Sequence, residues 1–417
     1  MQVLVIGGGA SGMTAAIAAA AGGCRVTLLE QNPKLGKKLY ATGNGKCNLT
    51  NLRMQPGDYR GTHPEFAWEA LARVSVSDTL RSFAEMGLPT KERNGYVYPR
   101  SEQAQSVVSV LTYELRRLGV RVLLSCRALA AEREADGFFV TAELTEEKRK
   151  LRLFADRLVV ASGGLAGQNL GTGEVGYAVC RAMGHRIVPT APALVQLRTA
   201  ERFLKPAAGV RLEAAVTLHI GKRSYCETGE ILFADYGVSG IPVLQLSRYA
   251  SLAESEEPPE LSLNFFPEKS PEEQRAMLNA QLGGVYASER TAEEALCGLL
   301  PDKLLRVLLA QAEVARERKA YEVSEAQREA LLALFGGLRL SVVGTNDFSK
   351  AQVTAGGVDV SEVRPETMES RLVPGLYLTG ELLDIDGTCG GYNLQWAWTS
   401  GMLAGKALAH VRERGEA

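Results

Sequence analysis

The stretch Val3-Leu-Val-Ile-Gly-Gly-Gly-Ala-Ser-Gly12, followed by an alanine-rich run to Ala21 and by Arg25-Val-Thr-Leu-Leu-Glu30, decides the fold. A short apolar run, a glycine turn, a segment of high helix propensity and a second apolar run form a βαβ unit opening a parallel sheet. Gly7, Gly9 and Gly12 fit G-x-G-x-x-G between strand and helix. The first glycine makes the tight turn, the second lets backbone approach a diphosphate, and the third lets helix and strand pack closely. Ala10 and Ser11 lie in the first helical turn, where unpaired N–H groups and a partial positive charge favour phosphate. Glu30 ends the second strand about 20 residues on, placed to accept hydrogen bonds from an adenosine ribose, with Gln31 beside it. A purely structural glycine turn would not need the acid, so the combination points to a bound dinucleotide.

Working outward, residues 32–51 read as an extended loop rich in Gly, Lys, Asn and Thr, and helices are expected over 65–86 and 102–118. Three β-rich runs, Val120–Leu129, Gly137–Leu144 and Leu151–Val160, suggest an antiparallel meander whose last strand returns to the main sheet. Residues 191–267 are again β-rich, residues 268–340 turn helical, and from 341 strands lead to a closing helix near Gly391. The fold class expected is α/β: a Rossmann-type dinucleotide-binding domain, discontinuous over 1–190 and 341–417. It carries an inserted β domain (191–267) and a small helical domain (268–340).

Two further strands indicate which dinucleotide. Leu158-Val-Val-Ala-Ser-Gly-Gly164 and Gly375-Leu-Tyr-Leu-Thr-Gly-Glu381 resemble the second and third motifs of FAD proteins. The second offers Ser162, Gly163 and Gly164; the third offers Gly380 and Glu381, with Glu where Asp is more usual. A second G-x-G-x-x-G, Gly171 to Gly176, follows no strand and has no acidic strand end after it, so it is not a nicotinamide fingerprint. The cofactor expected is FAD, with NAD(P)H as a transient electron donor.

Lys34-Leu-Gly-Lys-Lys-Leu-Tyr-Ala-Thr-Gly-Asn-Gly-Lys-Cys-Asn-Leu-Thr-Asn51 resembles a signature of the YhiN/BaiN flavoprotein family, also called aminoacetone-oxidase-like. Lys46 stands where that family usually has Arg. Glu230 to Gly240, Thr354-Ala-Gly-Gly-Val358 and Gly380 to Trp398 are similar to its other blocks, so the resemblance spans nearly the whole chain. It implies a glutathione-reductase-type FAD domain and, from one branch, reduction of conjugated C=C bonds in 3-oxo bile acid intermediates. From these blocks Lys37, Lys38, Thr42, Gly43, Asn44, Cys47 and Asn48 are expected near the cofactor. The loop leading through Gly390, Gly391, Tyr392 and Asn393 is expected to aim backbone N–H groups at the flavin pyrimidine.

Composition narrows the class further. Lys plus Arg total 47 against 48 Asp plus Glu, a net charge of -1, which argues against a globally basic nucleic-acid or membrane binder. The first apolar stretch, Val3 to Ala21, is interrupted by glycines at 7, 8, 9 and 12, and no other comes near the roughly 18 residues of a membrane span. Seven widely spaced cysteines without a CxxC pair suit reduced thiols and a cytoplasmic location. Four scattered histidines argue against a metal site. The expected partner is a small-molecule substrate, an apolar enone; nothing in the sequence selects an oligomeric state. Tyr392, Asp384 and Asp386 are the candidates for proton transfer, against packing and loop stabilisation as the plain alternatives. The leading activity is NAD(P)H-driven reduction of an activated C=C bond. A flavin amine oxidase and a non-catalytic FAD-stabilised binding protein are the alternatives. Tyr392 and Trp396 share a helix face that Trp398 does not, so the two tryptophans cannot wall an amine cage.

Overall fold

The computed structural model describes residues 1–254, 257–413 and 415; residues 255, 256, 414, 416 and 417, which fall within the expected β-rich and cofactor-binding spans, lie outside the described residues. The chain divides into two compact units, Met1–Ala191 with Gln352–Ala417, and Pro192–Ala351.

In the first unit, β1 (Gln2–Ile6), β2 (Arg25–Leu29), β3 (Arg121–Leu123), β4 (Arg157–Val160) and β5 (Leu376–Leu378) form a parallel sheet in the order β5-β4-β1-β2-β3. Val3, Leu4, Val5 and Ile6 are all buried, as parallel strands covered on both faces require. Helix α1 (Ala10–Ala21) connects β1 to β2. It packs against α2 (Tyr392–Glu413) through small residues: a Cβ on Gly401 would strike Ser11 O, and one on Gly405 would strike Ala15 O. That close approach explains why α1 is rich in alanine and other small residues.

Several expectations about this unit need correction. The helical span expected over 65–86 holds two helices, Glu65–Leu71 and Val76–Glu85, because Ser75 starts a new one. Its Oγ accepts from Asp78 N–H while Asp78 accepts from Ser75 N–H, a capping box. A hairpin, Thr90–Arg93 with Tyr96–Pro99, follows; Asn94 and Gly95 at its turn both have positive φ, as a tight hairpin demands. The run Val120–Leu129 breaks at Ser125 (φ 48°) into β3 and the first meander strand, Cys126–Glu134. The run Leu151–Val160 likewise splits at Asp156. Arg149–Ala155 completes the meander with Gly137–Leu144, and β4 joins the main sheet.

The second unit is a closed six-stranded barrel, with Leu197–Thr199, Gly237–Gly240, Arg223–Ala234, Arg211–Ile220, Glu260–Asn264 and Leu338–Thr345 in that order around it. Helices Pro271–Gly283, Asp302–Gln311 and Glu325–Gly337 share its hydrophobic core. Leu218, Leu261 and Leu340 from the strands cluster with Leu278, Leu305 and Phe335 from the helices. The β-rich and helical segments are therefore one unit rather than two domains. The return to the cofactor-binding unit falls at Gln352 rather than 341, because Leu338–Thr345 closes the barrel.

Candidate functional site

The site is built at the carboxyl ends of β1, β4 and β5, where an open parallel sheet gathers its loops. Gly7 has φ 109°, and a Cβ on it would lie 2.3 Å from Ala161 O. A Cβ on Gly12 would lie 1.9 Å from Gly7 O, so helix and strand meet there backbone to backbone. Around Gly9 a Cβ would meet nothing within 4 Å. The same three glycines thus divide into two that permit packing and one that faces open space. Gly9 caps α1 without a side-chain hydrogen bond, and the first turn, with Ala10 and Ser11, holds no acid that would neutralise its positive end.

Glu30 is buried at the end of β2. Its Oε2 accepts from Gly8 N–H (2.9 Å), and Oε1 accepts from Asn32 N–H (2.8 Å) and Nδ2 (2.7 Å). The carboxylate is thereby fixed against the glycine turn. Gln31 Nε2 donates to Gly171 O, and Lys37 Nζ to Asn32 Oδ1 (3.3 Å) and Asn169 O (3.4 Å). The second glycine motif accordingly packs along the end of β2: Gln168–Leu170 is a single 3-10 turn, and a Cβ on Gly176 would strike Ser162 Oγ.

Gly380 lies against the first turn of α1, where a Cβ would meet Ser11 Oγ at 2.5 Å. Glu381 Oε2 pairs with Lys38 Nζ at 2.7 Å, and Gly164 sits so close that a Cβ would meet Glu381 Oε1 at 2.9 Å. Around Gly163 there is open space. Lys38, Gly164, Gly380 and Glu381 therefore gather beside the first turn of α1. Lys37 does not join them and holds the 169 segment instead.

The signature loop and the last helix also meet. Asn51 Nδ2 donates to Gly390 O (3.0 Å), Thr50 Oγ1 to Gln395 Oε1 (2.7 Å), and Trp398 Nε1 to Leu49 O (2.9 Å). A Cβ on Gly391 would lie 2.6 Å from Thr50 C. Thr42, Gly43 and Asn44 leave helical geometry within Leu39–Gly45, and Asn44 and Cys47 both have positive φ, so this loop holds costly non-glycine backbone conformations. Asn48 Oδ1 and Thr379 Oγ1 are buried and lack a hydrogen-bond partner among the described residues. Two such orphaned groups, the open faces of Gly9 and Gly163 and the acid-free start of α1 fit a large anionic, hydrogen-bonding ligand.

The proton-transfer candidates are held tightly. Asp384 is buried, and its Oδ2 accepts from Thr62 N–H (2.8 Å). Asp386 is buried in a two-residue pairing with Arg60. Asn393 Oδ1 accepts from Gly387 N–H (2.8 Å) and its Nδ2 donates to Gly387 O (2.8 Å), so its amide shapes the loop. Tyr392 packs edge-on against Tyr59, whose hydroxyl donates to Tyr392 O (3.0 Å). Burial, reinforced by the nearby Asp58 charge, pushes the Tyr392 phenol up to about 12. Burial likewise pushes the Cys47 thiol up to about 11, the state of an inert core thiol. Trp396 and Trp398 are buried, and the Trp396 Nε1 donates to Gly380 O (3.0 Å), so neither indole walls an amine site.

Away from this site, Ser370, His185 and Glu362 form a hydrogen-bonded row (2.8 and 2.9 Å). Ser370 Oγ also accepts from Leu372 and Val373 N–H and is buried, so the row braces a turn rather than presenting a nucleophile. Among the described residues no group of three His, Cys, Asp or Glu could hold a metal ion, and no helix is long and apolar enough to cross a membrane.

A parallel sheet with a glycine-gated helix start, an acid closing β2 and a second acid after β5 defines an FAD-dependent oxidoreductase. The chain belongs to the family described as HI0933-like protein Rossmann domain, whose model matches residues 1–407. It is 46% identical over 414 residues to the 3-dehydro-bile acid delta(4,6)-reductase of Clostridium scindens, covering 98% of this chain and 99% of that one. It is 32% identical over 403 residues to the ribosomal RNA dihydrouridine synthase of Haemophilus influenzae, covering 95% and 96%. Among solved structures, the 3-ketosteroid-delta4-(5alpha)-dehydrogenase of Rhodococcus jostii RHA1 aligns over 98% of this chain and 96% of that one, at 15% identity and TM-score 0.48.

Proposed function

We propose that this chain is a cytoplasmic reductase that saturates a C=C bond conjugated to a ring carbonyl in a small apolar enone of the 3-oxo steroid class, with NAD(P)H as transient donor. The observation that carries the reading is the 46% identity, end to end, with a protein named for that reaction. Bound FAD supplies the two-electron hydride chemistry.

In this reading the N–H groups of the first turn of α1 meet the diphosphate, and Glu30 meets the adenosine ribose. Lys38, Ser162–Gly164, Gly380 and Glu381 hold the linker toward the ring system, and Thr42–Asn48 with Gly390–Asn393 frame the ring itself. Tyr392 Oη keeps its proton because burial opposes the phenolate, so it serves as a donor and not as a base. Lys37, Gln31 and Asn393 act by fixing the loops around the cofactor.

A second reading is reduction of a uridine ring in RNA, favoured by the relative named as a ribosomal RNA dihydrouridine synthase. The net charge of -1 supplies no general attraction for phosphate backbone. Anaerobic mixing decides between donors and substrates. NADH or NADPH should bleach the flavin band near about 450 nm, and a 4-ene-3-oxo steroid should restore it with the product carrying two added hydrogens. Restoration by uridine-containing RNA and not by the steroid would replace the first reading with the second.

A further inference from the structure

The block Thr354-Ala-Gly-Gly-Val358 stands out in the sequence, yet none of its residues is expected to touch the cofactor. Thr354 is completely buried in strand Val353–Val358. Its N–H and its Oγ1 both donate to Glu381 Oε1, each at 3.0 Å. The same Oγ1 accepts from Leu165 N–H (2.8 Å) and Ala166 N–H (2.9 Å). A hydroxyl has one proton and two lone pairs, so every hydrogen-bonding capacity of this side chain is used.

We propose that Thr354 is a positioning residue for FAD: it clamps the Glu381 carboxylate to the turn after β4, and so sets the angle at which that carboxylate meets the sugar chain of the cofactor. This rests on the reading that Glu381 faces FAD. A carboxylate has about four acceptor positions. Thr354 fills both on Oε1, and Lys38 fills one on Oε2 at 2.7 Å. The position left lies on Oε2, so the clamp decides which oxygen, and which direction, remains for a ligand hydroxyl. Hydrogen bonds to a charged acceptor are stronger than neutral ones, and valine, of the same shape, can make none of those of the hydroxyl. One buried hydroxyl thereby joins the turns of the second and third FAD motifs.

The test is FAD titration of the deflavinated chain, following affinity and the visible flavin spectrum in Glu381→Gln, Thr354→Val, Thr354→Ser and the Glu381→Gln/Thr354→Val double variant. Loss of one hydrogen bond to a charged group corresponds to about tenfold weaker binding, expected for Glu381→Gln and for Thr354→Val with a shifted flavin band. Thr354→Ser retains the hydroxyl and should bind within about twofold of the native chain. The double variant should be no weaker than the weaker single, because both act on one interaction. If valine is not accommodated, Thr354→Ala removes the hydroxyl with less steric demand. Native affinity and spectrum in Thr354→Val or Thr354→Ala, beside weakened Glu381→Gln, overturns the clamp alone. Native affinity in Glu381→Gln overturns the placement of that carboxylate at FAD, and additive losses show that Thr354 acts by another route.

Discussion

Adding one methyl group at Gly9 and at Gly12 should have opposite consequences. At Gly12 the new Cβ would lie 1.9 Å from Gly7 O and 3.0 Å from Gly7 C. Both are backbone atoms, so no side chain can swing aside and α1 must lift from β1. Overpacking ordinarily costs about 1–3 kcal/mol, and a backbone clash this deep belongs at or beyond the upper end. At Gly9 the Cβ meets nothing within 4 Å, and φ -83°, ψ -166° suits alanine. Reduced freedom of the unfolded chain contributes about 0.4–1 kcal/mol of stability, and the poorer helix cap offered by alanine offsets a similar amount. The Gly9→Ala apoprotein should therefore melt within about 2 °C of the native one. Its affinity for FAD should nonetheless fall, since the methyl occupies the space into which a diphosphate fits. A steric penalty of about 1–3 kcal/mol is roughly 5- to 150-fold in Kd. Thermal melts of the deflavinated chains and fluorescence titration with FAD measure the two quantities separately. Native FAD affinity in Gly9→Ala would refute the assignment of this turn to the cofactor, whatever Gly12→Ala does.

Three other substitutions or probes bear on the same site. Glu30→Gln removes the charge that Gly8 and Asn32 donate to, and should weaken FAD about tenfold while leaving the meander and barrel folded, which circular dichroism would check. Tyr392→Phe should lower kcat by about 10²-fold or more if its phenol supplies the proton, with FAD affinity unchanged. Because the native phenol stays protonated up to about 12, the pH profile of the native enzyme should show no loss from this group below about pH 11; an undiminished Tyr392→Phe rate removes the assignment. Alkylation at pH 8 should label the exposed Cys226 and Cys297 and spare Cys47. With its thiol pushed to about 11, Cys47 has only about a thousandth of its population as thiolate there. Peptide mapping that found Cys47 labelled as fast as Cys226 would contradict its burial.

Much of the cofactor-binding unit is legible in the sequence because its information is local. The β1-α1-β2 unit announces itself through apolar runs, alanines and three glycines whose spacing has a steric reason, and Glu30 lies at a fixed distance along the chain. The second and third motifs are likewise contiguous strands with their turns. What escaped were features set by one residue or by distant partners. Ser75 starts a new helix four residues after Leu71 through a bond to Asp78, and Asn94-Gly95 turns a hairpin within a segment of weak apolar patterning. Closure of the barrel depends on Leu338–Thr345 pairing with Glu260–Asn264, and no local pattern shows which strand will close a sheet. The division of labour between Lys37 and Lys38 was invisible too, since adjacent lysines look alike until one finds Asn169 and the other Glu381. Thr354 reads as an ordinary β-branched strand residue; its meaning comes from two amides 188 and 189 residues away.

The most direct measurement is titration of the deflavinated chain with FAD, followed by addition of NADH or NADPH without oxygen. One equivalent of flavin should bind, turn the protein yellow and be bleached by the nicotinamide. A chain that stays colourless at saturating FAD, while its melting curve shows it folded, would contradict the assignment of the β1-α1 turn to FAD.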